Sequence, residues 1–388
     1  MGFAELEDLR EMMLAHRHHL HSHPELAFDE HRTSDFVAGL LTGWGYEVTR
    51  GIGGTGLVAS LRCGAGQRRI GLRADMDALP ILEQTGLPYA SLTAGVMHAC
   101  GHDGHTAMLL GAARHLARSR NFSGTLQLIF QPAEERGFDS GAQAMIADGL
   151  FERFPCDRIY AIHNHPGAPV GSFLFREGAF LAAGNTVNIT VTGLGGHAAR
   201  PHLAIDPVLA GSAIVMALQS IVARNLNPED AAVVTVGKFA AGHASNVIPG
   251  SAELALSVRS FDPVVRLRLR ERITSIATLT AEAYGAHAEI EWIEGYPVVH
   301  NDPDAVRAAE TVARGMGDAT EVVSPTPRIM GSEDFAYMLQ KCPGALVRLG
   351  NGPADNGCSL HNARYDFNDA NLLPGAAFWV RLVEDYLR

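Results

Sequence analysis

The chain has 388 residues, 47% of them hydrophobic and 19% charged, a composition that describes a folded protein and excludes a disordered one. Its net charge of −11 argues against a nucleic-acid partner or an anionic membrane surface, because neither phosphate layer is attracted by the overall field. The length exceeds the roughly 250–300 residues at which single cores stop growing, so two domains are expected.

In chain order, residues 1–7 are acidic and show no basic leader followed by an apolar stretch, so no secretory signal is expected. Apolar residues recur with helical spacing over 6–20 and 30–44. The glycine-rich run 51–56 precedes a β-rich segment instead of following a strand and opening a helix, which reads as a tight turn and not as a dinucleotide loop. Buried strands are expected at 57–61, 69–73, 125–130 and 158–162, and their alternation with helices implies an α/β layer structure. From 185 the rhythm changes to strand 186–191, helix 205–223, strand 232–239, strand 252–260, helix 263–284 and strand 288–292. That order is the split β-α-β of a ferredoxin-like βαββαβ module. The α/β pattern then resumes with a helix at 306–315, a strand at 345–349 and a helix at 372–387. The expected organisation is a first domain built from 1–184 and 296–388, interrupted by a second at 185–295. No apolar run is expected to approach the roughly 18–20 residues that span a bilayer. Five scattered cysteines, Cys63, Cys100, Cys156, Cys342 and Cys358, lack framework spacing and fit reduced thiols in a cytoplasmic protein.

Three of the strands run directly into polar residues: Asp75 and Asp77 after the second, Glu134 and Glu135 after the third, His163 after the fourth. Ligands of an open α/β sheet gather beyond the carboxyl ends of its strands, which places these groups at one edge. Cys100 and His102 flank a glycine, and a thiolate and an imidazole at that spacing can converge on one cation. The adjacent Glu134 and Glu135 point in different directions if they follow a strand end, so one can bind metal while the other handles protons. His361, in Leu360-His361-Asn362, adds a further imidazole from a distant segment. Taken singly, each has a plainer explanation: a solvated acidic turn, a buried thiol, a hydrogen-bonded histidine. His16, His18, His19, His21 and His23 cluster at the end of the first helix, but no acid or cysteine of clear ligand spacing accompanies them. His197 lies on a glycine-rich loop between the first strand and helix of the inserted segment, where a polar turn with an exposed histidine is an equal alternative.

The stretches His21-Ser22-His23-Pro24-Glu25-Leu26, Arg73-Ala74-Asp75-Met76-Asp77, His98-Ala99-Cys100-Gly101-His102-Asp103-Gly104-His105, Gln131-Pro132-Ala133-Glu134-Glu135, Gly195-Gly196-His197-Ala198-Ala199-Arg200-Pro201, Ser245-Asn246-Val247-Ile248-Pro249, Gly331-Ser332-Glu333-Asp334-Phe335 and Leu360-His361 occur in this order. Together they resemble the metallo-amidohydrolases of the aminoacylase and carboxypeptidase type, in the branch of hippurate hydrolases and plant auxin-conjugate hydrolases, over essentially the whole chain. The resemblance implies a mixed-sheet α/β metallopeptidase-like catalytic domain with the ferredoxin-like insert acting as lid and dimerisation domain. It implies two divalent cations held by Cys100, His102, Glu135, His163 and His361, with zinc favoured by the thiolate and manganese, cobalt or nickel also compatible. Glu134 takes the role of general base for a hydroxide generated on the metal. Asp77 resembles the aspartate that orients the cluster, and Asp75 stands where other branches carry a metal-binding histidine whose place Cys100 takes. His197 is similar to a histidine that reaches the substrate carbonyl from a partner subunit, while Asn246 and Arg259 resemble residues that recognise the substrate's polar end. The implied partners are a small N-acyl amino acid and a second copy of the chain, as a homodimer or higher homo-oligomer. One departure is visible, since Arg136-Gly137-Phe138 follows Glu135 where relatives carry small glycines. Competing readings are a dipeptidase of the same metal mechanism, a cysteine hydrolase with Cys100 as nucleophile and His102 or His105 as its base, and a non-catalytic metal or ligand-binding protein.

Overall fold

Apolar, β-rich runs become the central strands of a mixed sheet in the computed structural model, which describes residues 3–317, 321–355 and 358–388. Contacts divide the chain into two units, one of Met1–Gly178, Val299–Pro327 and Asp334–Arg388, the other of Ala179–Val298 and Arg328–Glu333. The segment Arg328–Glu333, expected with the second part of the first domain, groups with the second unit.

In the first unit, β1 (Glu47–Ile52), β2 (Gly56–Cys63), β3 (Arg69–Asp75), β4 (Gly124–Gln131) and β5 (Arg158–His165) form one side of a sheet that has eight strands among the described residues. Its order is β1, β2, β4, β3, β5, followed by Gly344–Gly350, Phe173–Leu174 and Val322–Val323. β4, β3, β5 and Gly344–Gly350 are mutually parallel, whereas β1 and β2 run antiparallel. The run 51–56 is the tight turn of the β1–β2 hairpin, with Gly53 and Gly54 at positive φ. Strands buried on both faces read as largely apolar runs, and β4 does from Leu126 to Phe130, interrupted only by Gln127, which accepts from the Ser60 hydroxyl.

The expected helix at 6–20 begins as a 3-10 segment, Phe3–Leu9, and continues as α1 (Arg10–Ser22); α2 covers His31–Gly43. A further helix, α3 (His102–Ser119), was not expected, and it packs against α1 and the terminal helix Leu372–Tyr386. Its residues from His102 to Ala113 are all buried. It opens with His102, Asp103, Gly104, His105 and Thr106, a polar, glycine-bearing start that reads as a turn and masks the helix.

In the second unit, four strands lie in the order Ala232–Ala241, Ser251–Ser260, Ala183–Thr192, His287–Glu294, each antiparallel to its neighbour. Helices Pro207–Leu218 and Pro263–Ala283 connect them in βαββαβ order and pack on the sheet through Ile214, Leu218, Leu269 and Ile273. Asp206 and Asp262 accept hydrogen bonds from the first N–H groups of these helices, each with proline in the first turn. The single helix expected at 205–223 is broken at Gln219, where the Gln219 and Ser220 side chains donate to the carbonyls of Val215 and Ala217. Contrary to expectation, one apolar run in this unit does reach the length that spans a bilayer. Pro207–Arg224 has a mean hydropathy of 1.5 over 18 residues, and a third of it is buried. Its apolar length serves two faces, one against the sheet through Ala210, Ile214 and Leu218 and one exposed at Leu209 and Met216.

Candidate metal centre

Because β3, β4 and β5 are parallel, their carboxyl ends share one edge of the sheet. There Asp75 is in register with Gln131, and β5 delivers His163, Asn164 and His165. After β4 the chain turns sharply at Ala133, a buried alanine with φ of 52°, into the short 3-10 turn Glu134–Arg136. Cys100 and His102 are separated by Gly101 at φ 99°, and His102 opens α3. A side chain at Gly101 would meet Asn164 Oδ1 at 2.5 Å and Tyr365 Oη at 2.7 Å, which explains the glycine between the two donors. His361, also left-handed with φ of 63°, is tied back by its N–H to the Ala99 carbonyl at 2.7 Å.

These segments bring Cys100, His102, Glu134, Glu135, His163 and His361 together. Cys100 Sγ lies 3.4 Å from His163 Nε2, and His361 Nε2 lies 3.1 Å from Glu135 Oε1. His102 Nε2 is 3.9 Å from both Glu134 Oε2 and Glu135 Oε1. The donor atoms of Cys100, His102 and His163 fall within 4.8 Å of one another, as do those of Cys100, Glu135 and His361. Cys100 is common to both groups, so the geometry accommodates two adjacent cations.

The polar chemistry of the cluster fits a cation. Asp77 accepts from His102 Nδ1 through its carbonyl at 2.8 Å and Oδ1 at 3.1 Å, which places the proton on Nδ1 and turns the Nε2 lone pair inward. That Nε2 is buried without a hydrogen-bond partner. His163 Nδ1 likewise donates to the Asn164 carbonyl at 2.8 Å, directing Nε2 at Cys100. Facing lone pairs and carboxylates repel one another unless positive charge lies between them. Burial alone would depress His102, yet Asp75, Asp77 and Glu135 drive it up to about 10. Burial would raise Glu135, but its hydrogen bond to His361 and the His102 charge hold it below the usual carboxylate range. Burial and the neighbouring Glu135, Glu134 and Asp75 push the Cys100 thiol well up, and burial with Arg348 holds His163 well down.

Beneath the cluster lies a buried polar network that the sequence reading did not assign. Arg73 bonds Gln131 at 2.8 Å, Asp75 at 2.5 Å and Asp334 at 3.0 Å. Asp334 also accepts from Gln131 Nε2 and the Ala142 N–H. His105 bonds Asp75 at 2.6 Å through Nδ1, and Asn164 donates to Tyr365 Oη at 2.5 Å. Burial would raise Asp75, but Arg73, His102 and His105 keep it well below the ordinary value. The visible signal was Arg73 itself, a charge inside an apolar strand that requires a buried partner. Asp77 bridges two cluster residues, since Oδ2 accepts from the Glu135 N–H at 2.8 Å while Oδ1 faces His102.

The three substrate candidates lie in the second unit. His197 pairs with Val247 in a two-stranded ribbon, and the Ala198 N–H donates to the Asn246 carbonyl at 3.1 Å. The exposed His197 ring accepts from the Ala199 N–H at Nδ1, 3.0 Å away, which leaves Nε2 as a donor. Arg259 is half-buried and bonds Ser332 Oγ. In the first unit, the exposed Arg136 guanidinium stands 5.6 Å from the Phe28 ring and 6.0 Å from that of Phe138. Two of the clustered histidines of α1 find acidic partners, His18 with Asp369 and His21 with Asp103 and Glu83.

The peptidase family M20/M25/M40 model matches residues 71–385. A hippurate hydrolase of Campylobacter jejuni is 44% identical over 387 residues, covering 99% of each chain. An N-acetyl-L-cysteine deacetylase of Bacillus subtilis is 37% identical over 377 residues, covering 96% of this chain and 88% of its own. Among solved structures, a dinuclear metal-binding peptidase of Bacillus subtilis superposes with a TM-score of 0.83 at 33% identity, covering 98% of this chain and 99% of its own.

Proposed function

The chain belongs to peptidase family M20/M25/M40 and is a metal-dependent amidohydrolase, and from that premise we propose that it cleaves the amide bond of small N-acyl amino acids, with aryl-acyl (hippurate-like) and N-acetyl conjugates as substrates. The observation that carries this reading is the approach of Cys100, His102, Glu135, His163 and His361 around one cluster, buried at Cys100, His102 and His163 and open to solvent at His361, with Glu134 Oε2 3.9 Å from His102 Nε2. The relatives named for hippurate and for N-acetyl-L-cysteine support a site that accepts both an aromatic and a short acyl group.

Cys100, His102, Glu135, His163 and His361 would hold two divalent cations, with zinc the best match to a thiolate and imidazoles and manganese, cobalt or nickel compatible. When bound, the cations act as Lewis acids on the amide carbonyl and on a water, whose pKa falls toward about 7. Glu134 accepts the proton of the attacking water and delivers it to the departing amine nitrogen, so that one water and one amide yield a carboxylic acid and an amine. Asp77 holds His102 in its Nδ1–H tautomer and the Glu135 backbone in place through opposite oxygens. His197 of a partner copy donates from Nε2 to the oxyanion, and Asn246 and Arg259 take the substrate's carboxylate end. A cysteine-nucleophile mechanism is disfavoured, because Cys100 Sγ lies among the donor atoms of two three-residue groups, where it would serve as a ligand.

A homodimer through the second unit completes the proposal. Its outer strand Ala232–Ala241 has an open edge, and Leu209, Met216, Phe239, Leu267 and Leu279 are exposed apolar groups in the same unit. Five free thiols suit the cytoplasm. Glu134→Gln is the direct test. Turnover is lost while bound metal persists, and retained turnover would refute the base assignment. A hydrolysis screen over N-benzoyl, N-acetyl and indole-acetyl amino acids with dipeptides included identifies the acyl group; activity on dipeptides alone would replace this substrate class.

A further inference from the structure

Glu30 is a fully buried carboxylate that the mechanism above does not use. It occupies the N-cap position of α2 yet makes no capping bond there; Glu25 caps that helix instead, accepting from the N–H groups of Arg32 and Thr33. The Glu30 oxygens are committed across the fold. Oε1 accepts from the Ala133 N–H at 2.8 Å, and Oε2 accepts from the Thr55 hydroxyl at 2.5 Å. Burial, reinforced by the Asp77 charge, raises its carboxyl to about 7, so this carboxylate sits where it is costly.

Its partner explains the cost. Ala133 is the residue immediately before Glu134, and its φ of 52° is a left-handed conformation that an alanine adopts only under constraint. The constraint acts from both sides of the turn: the Ala133 carbonyl accepts from the Gly141 N–H at 3.1 Å, and two residues on, the Glu135 N–H is held by Asp77 at 2.8 Å. Glu134 therefore sits between two backbone anchors, one on Glu30 and one on Asp77. Relaxing Ala133 to an ordinary φ would redirect the chain just before the base while Asp77 still gripped Glu135.

We propose that Glu30 is a positioning residue for the hydrolytic reaction, holding Ala133 in its left-handed turn and thereby aiming Glu134 relative to the cluster. The proposal rests on Glu134 as general base. Loss of aim of about 1 Å costs on the order of a hundredfold in rate without a change in chemistry.

The test is steady-state kinetics on N-benzoylglycine with metal content measured on the same samples. Glu30→Ala should lower kcat about ten- to hundredfold, with KM within about twofold and metal per chain unchanged. Glu30→Gln keeps an oxygen acceptor for the Ala133 N–H and should retain most of the wild-type kcat. Adding Ala133→Gly to Glu30→Ala removes the left-handed penalty and should recover part of the loss. A purely structural Glu30 would lower the melting temperature and leave kcat per metal-loaded chain intact. That result, a Glu30→Gln as impaired as Glu30→Ala, or no recovery with Ala133→Gly would each overturn the proposal. Should Glu30→Ala give no soluble protein, Glu30→Asp withdraws the carboxylate by one methylene, and an unchanged kcat there would overturn it as well. Glu134→Gln assayed alongside separates the two readings: if it retains turnover, the base assignment fails; if it is inactive while Glu30→Ala is fully active, only the Glu30 role fails.

Discussion

Gly101→Ala adds one methyl group between two of the candidate donors, and its consequence can be worked from contacts. The new Cβ would stand 2.5 Å from Asn164 Oδ1, 2.7 Å from Tyr365 Oη and 2.9 Å from Asn164 Cγ. Neither neighbour can retreat cheaply, since both are fully buried, Asn164 donates to Tyr365, and the Asn164 amide also meets His105 Nε2 at 2.8 Å. Holding alanine at φ 99° costs about 1–2 kcal/mol, and overpacking a buried site costs about 1–3 kcal/mol. The sum, about 2–5 kcal/mol, is relieved most easily by shifting Cys100 and His102, so it is expected to appear as lost metal affinity of about 30- to 3,000-fold at 1.4 kcal/mol per decade. Chelator competition measures that affinity, and thermal unfolding of metal-free protein measures any residue of the cost in stability. A Gly101→Ala protein whose metal affinity is within threefold of the parent and whose melting temperature is unchanged would refute the reasoning.

Burial would lower His21, but its bonds to Asp103 and Glu83 raise it to about 9. Its stabilisation is thus complete below the unfolded value of about 6.5 and is lost as pH rises toward 9, a decline on the order of 3 kcal/mol; denaturant unfolding between pH 6 and 9.5 should show it, and His21→Asn should flatten it. Asp77→Asn leaves a donor facing either the His102 Nδ1–H or the Glu135 N–H, so metal affinity should fall about ten- to hundredfold, and an unchanged affinity by chelator competition would count against the bridging role. Arg136→Gly removes a guanidinium held between Phe28 and Phe138 beside Glu135. The ratio of kcat/KM for N-benzoyl over N-acetyl substrates should shift at unchanged metal content, and a constant ratio would remove Arg136 from acyl selection.

Much of the first unit was legible because its central strands are predominantly apolar and end in chemistry: Leu126 to Phe130 leads to Gln131 and the two glutamates, and Ile159 to Ile162 leads to His163. The βαββαβ order of the second unit was legible from its alternation of β-rich and helical segments, and aspartate–proline pairs open both of its long helices. α3 was not, since its first turns carry the polar run from His102 to Thr106, and the glycines around Cys100 read only as a turn. The polar floor of the site was hidden by distance along the chain. Arg73 meets Asp334, and Glu30 meets Ala133, through contacts that no local spacing encodes. The donors of the cluster could be named from their motifs, but not that Cys100 would be common to two groups, nor that Asp77 would hold His102 and Glu135 with opposite oxygens.

Metal stoichiometry by elemental analysis, on the purified chain and on His163→Ala and His361→Ala, tests the central claim most directly. Two candidate donor groups, one with His163 and one with His361, meet at Cys100, so the parent should carry two divalent cations per chain and each variant should lose at least one. A parent that binds no metal under saturating zinc or manganese, or variants that retain the full complement, would contradict the account.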